Sequence, residues 1–318
     1  MKYRRLRGTD LDVSVICLGP MRAAAKTPGG DARSKAGEAA LRAALDAGVN
    51  FLHSSYEYDT RWMMERVLRD HPKRHDVHHV IKVPVPDFKD GGRFDRAGFR
   101  RRVEEALTEL HAERIAVLQW MWRSDPNEDR LRLPMLPSIM DDVWAAFETM
   151  KGEGKVGHLM TFPYTVPCAR AAIGTGRFAG LIAYYNPIEM EMAELFPELE
   201  RRDMGFLCIR PLYEGILTDA RDPARMQAGD RFAEPRYAKD LARRARIAET
   251  FAAEIGASMT AFAVRFSLAS PLVGSVIVGL NSPAQVAGIV AAVEGDLPNP
   301  SLVGRAYDLW KSGFGLDG

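Results

Sequence analysis

Eight short, continuously apolar runs recur along the chain, each separated from the next by a stretch with helical periodicity. This alternation limits the fold more than any other feature. The runs cover residues 13–19, 49–53, 80–85, 114–120, 156–162, 181–186, 205–211 and 275–279. They lack the in–out alternation of a half-exposed strand, so each reads as a parallel strand covered on both faces. Between them, Phe99, Val103, Ala106, Leu107 and Leu110 fall on one helical face, with Asp95 placed to cap it. Val143, Trp144, Phe147 and Met150 form a second such face, stopped by Gly152 and Gly154. Leu241, Ala245, Ala248, Phe251, Ala252 and Ile255 form a third, ending at Gly256.

Eight strands with helices between them predict an α/β fold, the closed (β/α)8 TIM barrel. An open doubly wound sheet is the alternative, weakened because no GxGxxG-type turn follows any strand. Residues 3–13, with Gly8-Thr9-Asp10, suit a small N-terminal β-hairpin cap plugging the barrel bottom. Two long connections, 123–141 and 213–237, belong on the C-terminal rim, where barrel enzymes keep their sites. No repeat or linker interrupts the pattern, so residues 1–318 read as a single barrel domain.

Charge narrows the function classes. The 43 Lys+Arg and 42 Asp+Glu leave a net charge of +1, without the excess of cations that a nucleic-acid or membrane surface demands. A small molecule is the expected partner, and the oligomeric state is left open. Cys17, Cys168 and Cys208 are odd in number and widely spaced, which suits small core residues in a reducing compartment. The first residues lack the apolar core of a signal peptide, and no apolar run is long enough to span a membrane. A cytoplasmic location is the expectation. His71, His75, His78 and His79 precede the third barrel strand on the barrel's stability side, and read as a solvated loop rather than a metal site. Arg100, Arg101 and Arg102 read as the wet face of a helix.

Particular residues then resemble one family along almost the whole chain. Tyr3-Arg4-Arg5-Leu6-Arg7-Gly8-Thr9 and Val13-Ser14-Val15-Ile16-Cys17-Leu18-Gly19 are similar to the opening of aldo-keto reductases. So, in order, are Ala47-Gly48-Val49-Asn50-Phe51-Leu52, Gly152-Glu153-Gly154-Lys155-Val156, Tyr185-Asn186, Pro211-Leu212, Gly215-Ile216-Leu217-Thr218 and Val276-Ile277-Val278-Gly279. The resemblance implies a barrel that reduces carbonyls with NADP(H), using a Tyr, a Lys, an Asp and a His. Tyr58 and Lys82 fall on the first two positions. His53 falls on the aspartate and Trp122 on the histidine.

The cofactor positions depart further. The family's Ser-Asn pair for the nicotinamide amide aligns with Phe162-Pro163, its glutamine with Ile182, and its stacked aromatic with Ile209. Asn281 aligns with the basic residue for the 2′-phosphate, and Gly288-Ile289 with the adenine-binding pair. Losing several hydrogen bonds of about 0.5–1.5 kcal/mol each implies much weaker nicotinamide binding, so none of these seven is a confident cofactor ligand and no cofactor is favoured. If His53 leaves Lys82 without a carboxylate, its charge lowers the pKa of Tyr58 and makes the phenol a base. Arg22, Arg123 and Arg210 would face the rim as anion-binding groups, and Trp120, Met121 and Trp122 would supply an apolar or sugar-stacking wall. The favoured expectation is therefore a cofactor-independent lyase or isomerase moving protons on a small, sugar-like or anionic carbonyl compound. In it, Tyr58, Lys82 and His53 are the catalytic set. An NADP(H)-dependent reductase with a remodelled groove is the alternative, and a non-catalytic binding protein the third. Each residue also has a plainer reading: His53 a satisfied strand-end histidine, Tyr58 an interface tyrosine, Trp122 a packing plug.

Overall fold

The first apolar residues pair with each other before the chain enters the barrel. In a computed structural model, which describes every residue except Pro223, Gln227, Ala228, Asp317 and Gly318, β1 (Tyr3–Arg5) and β2 (Asp12–Ser14) form an antiparallel hairpin. Its Leu6, Leu11 and Val13 are buried against the inward-facing residues of the barrel floor. Two strand-start glycines make room for it: a Cβ on Gly205 would lie 2.5 Å from the Arg7 carbonyl oxygen, and one on Gly274 would lie 2.7 Å from Leu6 Cδ1.

The eight apolar runs form the barrel. They are β3 (Ile16–Leu18), β4 (Phe51–Ser55), β5 (His78–Pro84), β6 (Ile115–Met121), β7 (Val156–Thr161), β8 (Gly180–Tyr184), β9 (Gly205–Ile209) and β10 (Val273–Val278). All pairings are parallel, and β10 closes the circle between β9 and β3. Helices wrap the outside. Asp95 caps Arg96–Glu109 by accepting from the Gly98 amide, as its sequence position predicts.

One of the two long connections differs from expectation. Most of 123–141 is helix, Asp129–Gly152, despite Pro134 and Pro137 inside it. Both prolines lie on its exposed side, where carbonyls left without an amide partner meet water. The connection after β9 is instead a series of short 3₁₀ turns up to Tyr237, and residues 223, 227 and 228 of it lie outside the described residues. The expected solvated histidine loop is also corrected. His71 is buried with Nε2 3.3 Å from Asp46, and His79 is buried on β5. Among the described residues no cluster of metal ligands occurs, and no helix is long and apolar enough to cross a membrane.

Strand alternation decides what faces the barrel interior. Cys17, Phe51, Val80, Val117, Met160, Ile182, Leu207 and Ile277 fill one layer. Two residues further along each strand, side chains point the same way, one level nearer the C-terminal rim. Those positions are Gly19, His53, Lys82, Gln119, Phe162, Tyr184, Ile209 and Gly279, and all eight line one cleft. The even spacing of the floor thus sets the composition of the site.

Candidate active site

The cleft occupies about 920 Å³ at the C-terminal ends of the strands. It runs from His53, Tyr58 and Lys82 past Ile209–Leu212 to Asn281, Gln285, Gly288 and Ile289. Tyr58 sits in the turn after β4, with Lys82 Nζ 4.7 Å from the centre of its ring. The rings of His53 and Tyr58 are 5.9 Å apart. The three residues assigned from sequence to the chemistry are therefore brought together.

Lys82 is not left without a carboxylate. Glu57, the residue before Tyr58, places Oε2 2.6 Å from Lys82 Nζ and Oε1 2.6 Å from Arg123 Nη1. Arg123 also binds Asp87 at 2.8 Å and accepts no other role: its Nε donates to Tyr164 Oη at 2.9 Å, and its guanidinium covers the Phe88 ring. Burial alone would raise the Glu57 carboxyl, but hydrogen bonds from Arg123 and Lys82 override it and hold it below the ordinary value. Burial lowers Lys82, with Glu57 opposing that shift. Tyr58 is raised, first by burial and then by the Glu57 charge. The expected acidified phenol is thus corrected: its premise was an unpaired lysine, and the partner stands four residues beyond the strand-end position. Burial also holds His53 down to about 4, aided by the Lys82 charge and opposed by a 2.8 Å hydrogen bond to Gln119.

The substrate-binding expectations divide. Trp120 and Trp122 do not reach the cleft. Trp120 points between its strand and the helices, with Nε1 donating to the Val85 carbonyl at 2.7 Å. Trp122 stacks on it at 5.1 Å and donates to the Arg132 carbonyl at 3.0 Å. Both are wholly buried. Met121, between them, lines the cleft instead. Arg123 lines the cleft, but its donors are committed to Glu57, Asp87 and Tyr164, so it is no free anion clamp. Arg22 is exposed at the rim, and its guanidinium makes no ion pair or hydrogen bond among the described residues. Arg210 has a backbone φ of +61°, lies over the rings of Tyr184 and Tyr213, and pairs with Glu189 at 3.2 Å and Glu214 at 3.7 Å. Burial pushes Glu189 up to about 7 against that pairing. Glu57, Gln119, Tyr164 and Tyr184 were missed from sequence. Counting two residues along each strand from its buried floor position finds Gln119 and Tyr184.

The family model for the aldo/keto reductase family matches residues 15–301. The chain belongs to the aldo/keto reductase family. An L-galactose dehydrogenase of Arabidopsis thaliana is 24% identical over 92% of this chain and 88% of its own length. An oxidoreductase of Bacillus subtilis (strain 168) is 28% identical over 92% and 91%. Among solved structures, an aldo-keto reductase of Bacillus halodurans in its holo form superposes with a TM-score of 0.74 at 20% identity, covering 97% of this chain and 96% of that one. The glycerol dehydrogenase of Gluconobacter oxydans gives 0.72 at 23%, covering 96% and 94%.

An aldo/keto reductase implies a nicotinamide dinucleotide, and the cleft can be tested for it. Phe162, Tyr184 and Ile209 offer flat or apolar surface at the inner end. Further out, Arg210 and Arg221 line the cleft, and each keeps a buried Nε with no hydrogen-bond partner among the described residues. A Cβ at Gly288 would meet nothing within 4 Å, so the outer end is open. A flat ring followed by phosphates fits these residues. Of the seven positions aligned with cofactor ligands, Phe162, Ile209, Asn281, Gly288 and Ile289 line the cleft. Ile182 lies one layer beneath it, and Pro163 is not among its lining residues.

Proposed function

We propose that this protein is a nicotinamide-dependent reductase of a small carbonyl compound, the reaction that sequence analysis held as the alternative. The observation that carries the reading is Glu57. With its carboxylate on Lys82 at 2.6 Å, the lysine charge is compensated and the buried Tyr58 phenol stays protonated well past neutral pH. A protonated phenol donates to a carbonyl oxygen as negative charge grows there, which is acid catalysis. Proton abstraction without a cofactor would need the opposite ionisation of Tyr58. The two relatives named as dehydrogenases, of L-galactose and of glycerol, add support for redox chemistry on a small molecule.

In this reading Arg210 and Arg221 hold the phosphates, and Phe162 and Tyr184 flank the ring. When bound, the dinucleotide supplies the hydride. Tyr58 supplies the proton to the carbonyl oxygen, and Lys82 stabilises that oxygen electrostatically while Glu57 keeps the ammonium in place. Met121 and Phe162 exclude water around the reacting centre.

The test is titration with NADPH followed by fluorescence, together with NADPH oxidation by wild type and Tyr58→Phe in the presence of small aldehydes. Saturable binding and loss of oxidation in Tyr58→Phe, with the circular dichroism spectrum intact, support the proposal. Undiminished oxidation in that variant, or no NADPH binding at millimolar concentration, refutes it.

A further inference from the structure

A second cavity opens beside the cleft and shares Met21, Arg22, Tyr58 and Lys82 with it. It holds about 440 Å³, and the further charged side chains on its wall are Lys26, Arg33, Glu57 and Asp59. Both carboxylates there are taken. Glu57 serves Lys82 and Arg123, and Asp59 pairs with Lys26 at 3.5 Å. Arg22 and Arg33 have no carboxylate partner among the described residues. Arg33 instead donates from Nε at 2.9 Å and from Nη2 at 2.5 Å to the Arg22 carbonyl, which fixes the backbone that carries Arg22. Two guanidinium groups thus stand uncompensated at one cavity, in a chain whose net charge is only +1.

The same wall holds a buried donor. Thr60 is 2% exposed and lies at the N-cap of the helix Arg61–Asp70. A threonine at an N-cap ordinarily has extended backbone and turns its hydroxyl back to an amide of the first turn. Thr60 has φ −108° and ψ 2° instead, and its hydroxyl makes no hydrogen bond among the described residues. The helix end adds the partial positive charge of its first amides.

We infer that this cavity is a subsite for an anionic group, a carboxylate or a phosphate, at the far end of a small carbonyl substrate, bound by Arg22, Arg33 and Thr60. The Arg22 fork matches the paired oxygens of either anion, and Arg33 Nη1 and the Thr60 hydroxyl supply further donors. An ammonium would meet like charge, and an apolar group would leave the Thr60 hydroxyl unpaired. Because Tyr58 and Lys82 line both cavities, a carbonyl oxygen held by them leaves the rest of the molecule room to extend into the smaller one. The dinucleotide phosphates assigned to Arg210 and Arg221 do not compete, since neither arginine lines it. The position of the carbonyl rests on the proposed reductase reading; the anion subsite itself does not.

The experiment uses two matched pairs of compounds, titrated by calorimetry without dinucleotide so that no turnover occurs. Glyceraldehyde 3-phosphate and glyceraldehyde differ by one phosphate. The compounds 4-oxobutanoate and 4-methylpentanal have nearly the same shape and differ by a carboxylate. In wild type the anionic member of at least one pair is expected to bind about tenfold more tightly or better. The pair that shows it identifies the anion. That ratio should fall at least threefold in Arg22→Met, and also in Thr60→Val, which keeps the packed volume. Ratios near one in both pairs, no saturable binding of either anion, or a ratio retained in either variant overturns the subsite. Arg22 is exposed, so Arg22→Met is expected to fold and decides alone if Thr60→Val does not. NADPH oxidation is measured separately with all four compounds. Its absence counts against the reductase reading and leaves the binding ratios to judge the subsite.

Discussion

Glu57→Gln keeps the side chain's shape and one of its oxygens but removes the charge that holds the site together. The carboxylate takes bonds from Lys82 at 2.6 Å and from Arg123 at 2.6 and 3.3 Å. Arg123 remains anchored by Asp87 and Tyr164. Among the described residues Lys82 has no second carboxylate in an ion pair, so the loss falls on it. At 2.6 Å and an effective dielectric of about 20 the gross attraction is about 6 kcal/mol. Most of that offsets the desolvation of a largely buried ammonium, and about 2 kcal/mol remains as net loss. If it is felt in the transition state, kcat/KM falls roughly 30-fold, while Tm drops only a few degrees. The pH profile is more diagnostic. The Glu57 charge helps to raise Tyr58, so its removal lets the phenol ionise at lower pH, and the alkaline limb of kcat/KM for carbonyl reduction moves down. The assay is NADPH oxidation across the neutral-to-alkaline range in wild type, Glu57→Gln and Tyr58→Phe. If Glu57→Gln stays within threefold of wild type with its alkaline limb unmoved, while Tyr58→Phe is inactive, the assigned role of Glu57 is wrong.

Three further outcomes are expected. Trp122→Phe loses the bond to the Arg132 carbonyl, lowering stability by about 1 kcal/mol in urea unfolding. Its KM should stay within twofold of wild type, and a large change would return Trp122 to the substrate wall. Arg210→Ala removes a guanidinium whose buried Nε lacks a partner among the described residues, and should weaken NADPH binding about tenfold in a fluorescence titration. Unchanged affinity would place the phosphates elsewhere. Burial holds His53 down to about 4 and His79 to about 3. Stability from these groups is therefore full above about pH 6.5, and is lost on acidification, as the unfolded chain takes up protons that the folded state refuses. The slope is roughly 1.4 kcal/mol per pH unit for each histidine. Unfolding free energies from urea titrations at pH 7 and pH 5 should differ by a few kcal/mol, and a flat profile would contradict the burial.

The barrel was legible because its determinants are local: eight apolar runs of strand length, caps such as Asp95, and turn residues between them. The site was legible only in part. Tyr58 and Lys82 were found because they fall on the tyrosine and lysine positions of the aldo-keto reductase pattern. Glu57 was not, because it lies in a turn, where no period says which way a side chain points. Trp120 and Trp122 were misread for a different reason. An apolar strand looks the same from both faces in sequence, and only the floor residue Val117, two positions before Gln119, tells which phase is inward. The helix marked in sequence by its 143–150 face starts earlier, at Asp129, since Pro134 and Pro137 sit on its wet side and do not end it.

The placement of the carboxylate has a consequence that can be tested by moving it. Lys82 and Arg123 face Glu57 and Asp87, two cations against two anions, so the group as it stands is balanced. In the family pattern the carboxylate belongs at position 53, inside the barrel mouth. His53→Asp alone would add a third anion close to where the carbonyl oxygen gains negative charge, and kcat/KM should fall about tenfold or more. In a Glu57→Gln background the same substitution should act in the opposite sense. It supplies Lys82 with the carboxylate it has lost, from the other side, without exceeding the charge balance. The double variant should therefore recover at least several-fold over Glu57→Gln, a coupling of about 2 kcal/mol or more between two residues that share Lys82. Additive losses in the double variant would mean that position 53 cannot reach the lysine, and that Glu57 does not stand in for the missing aspartate.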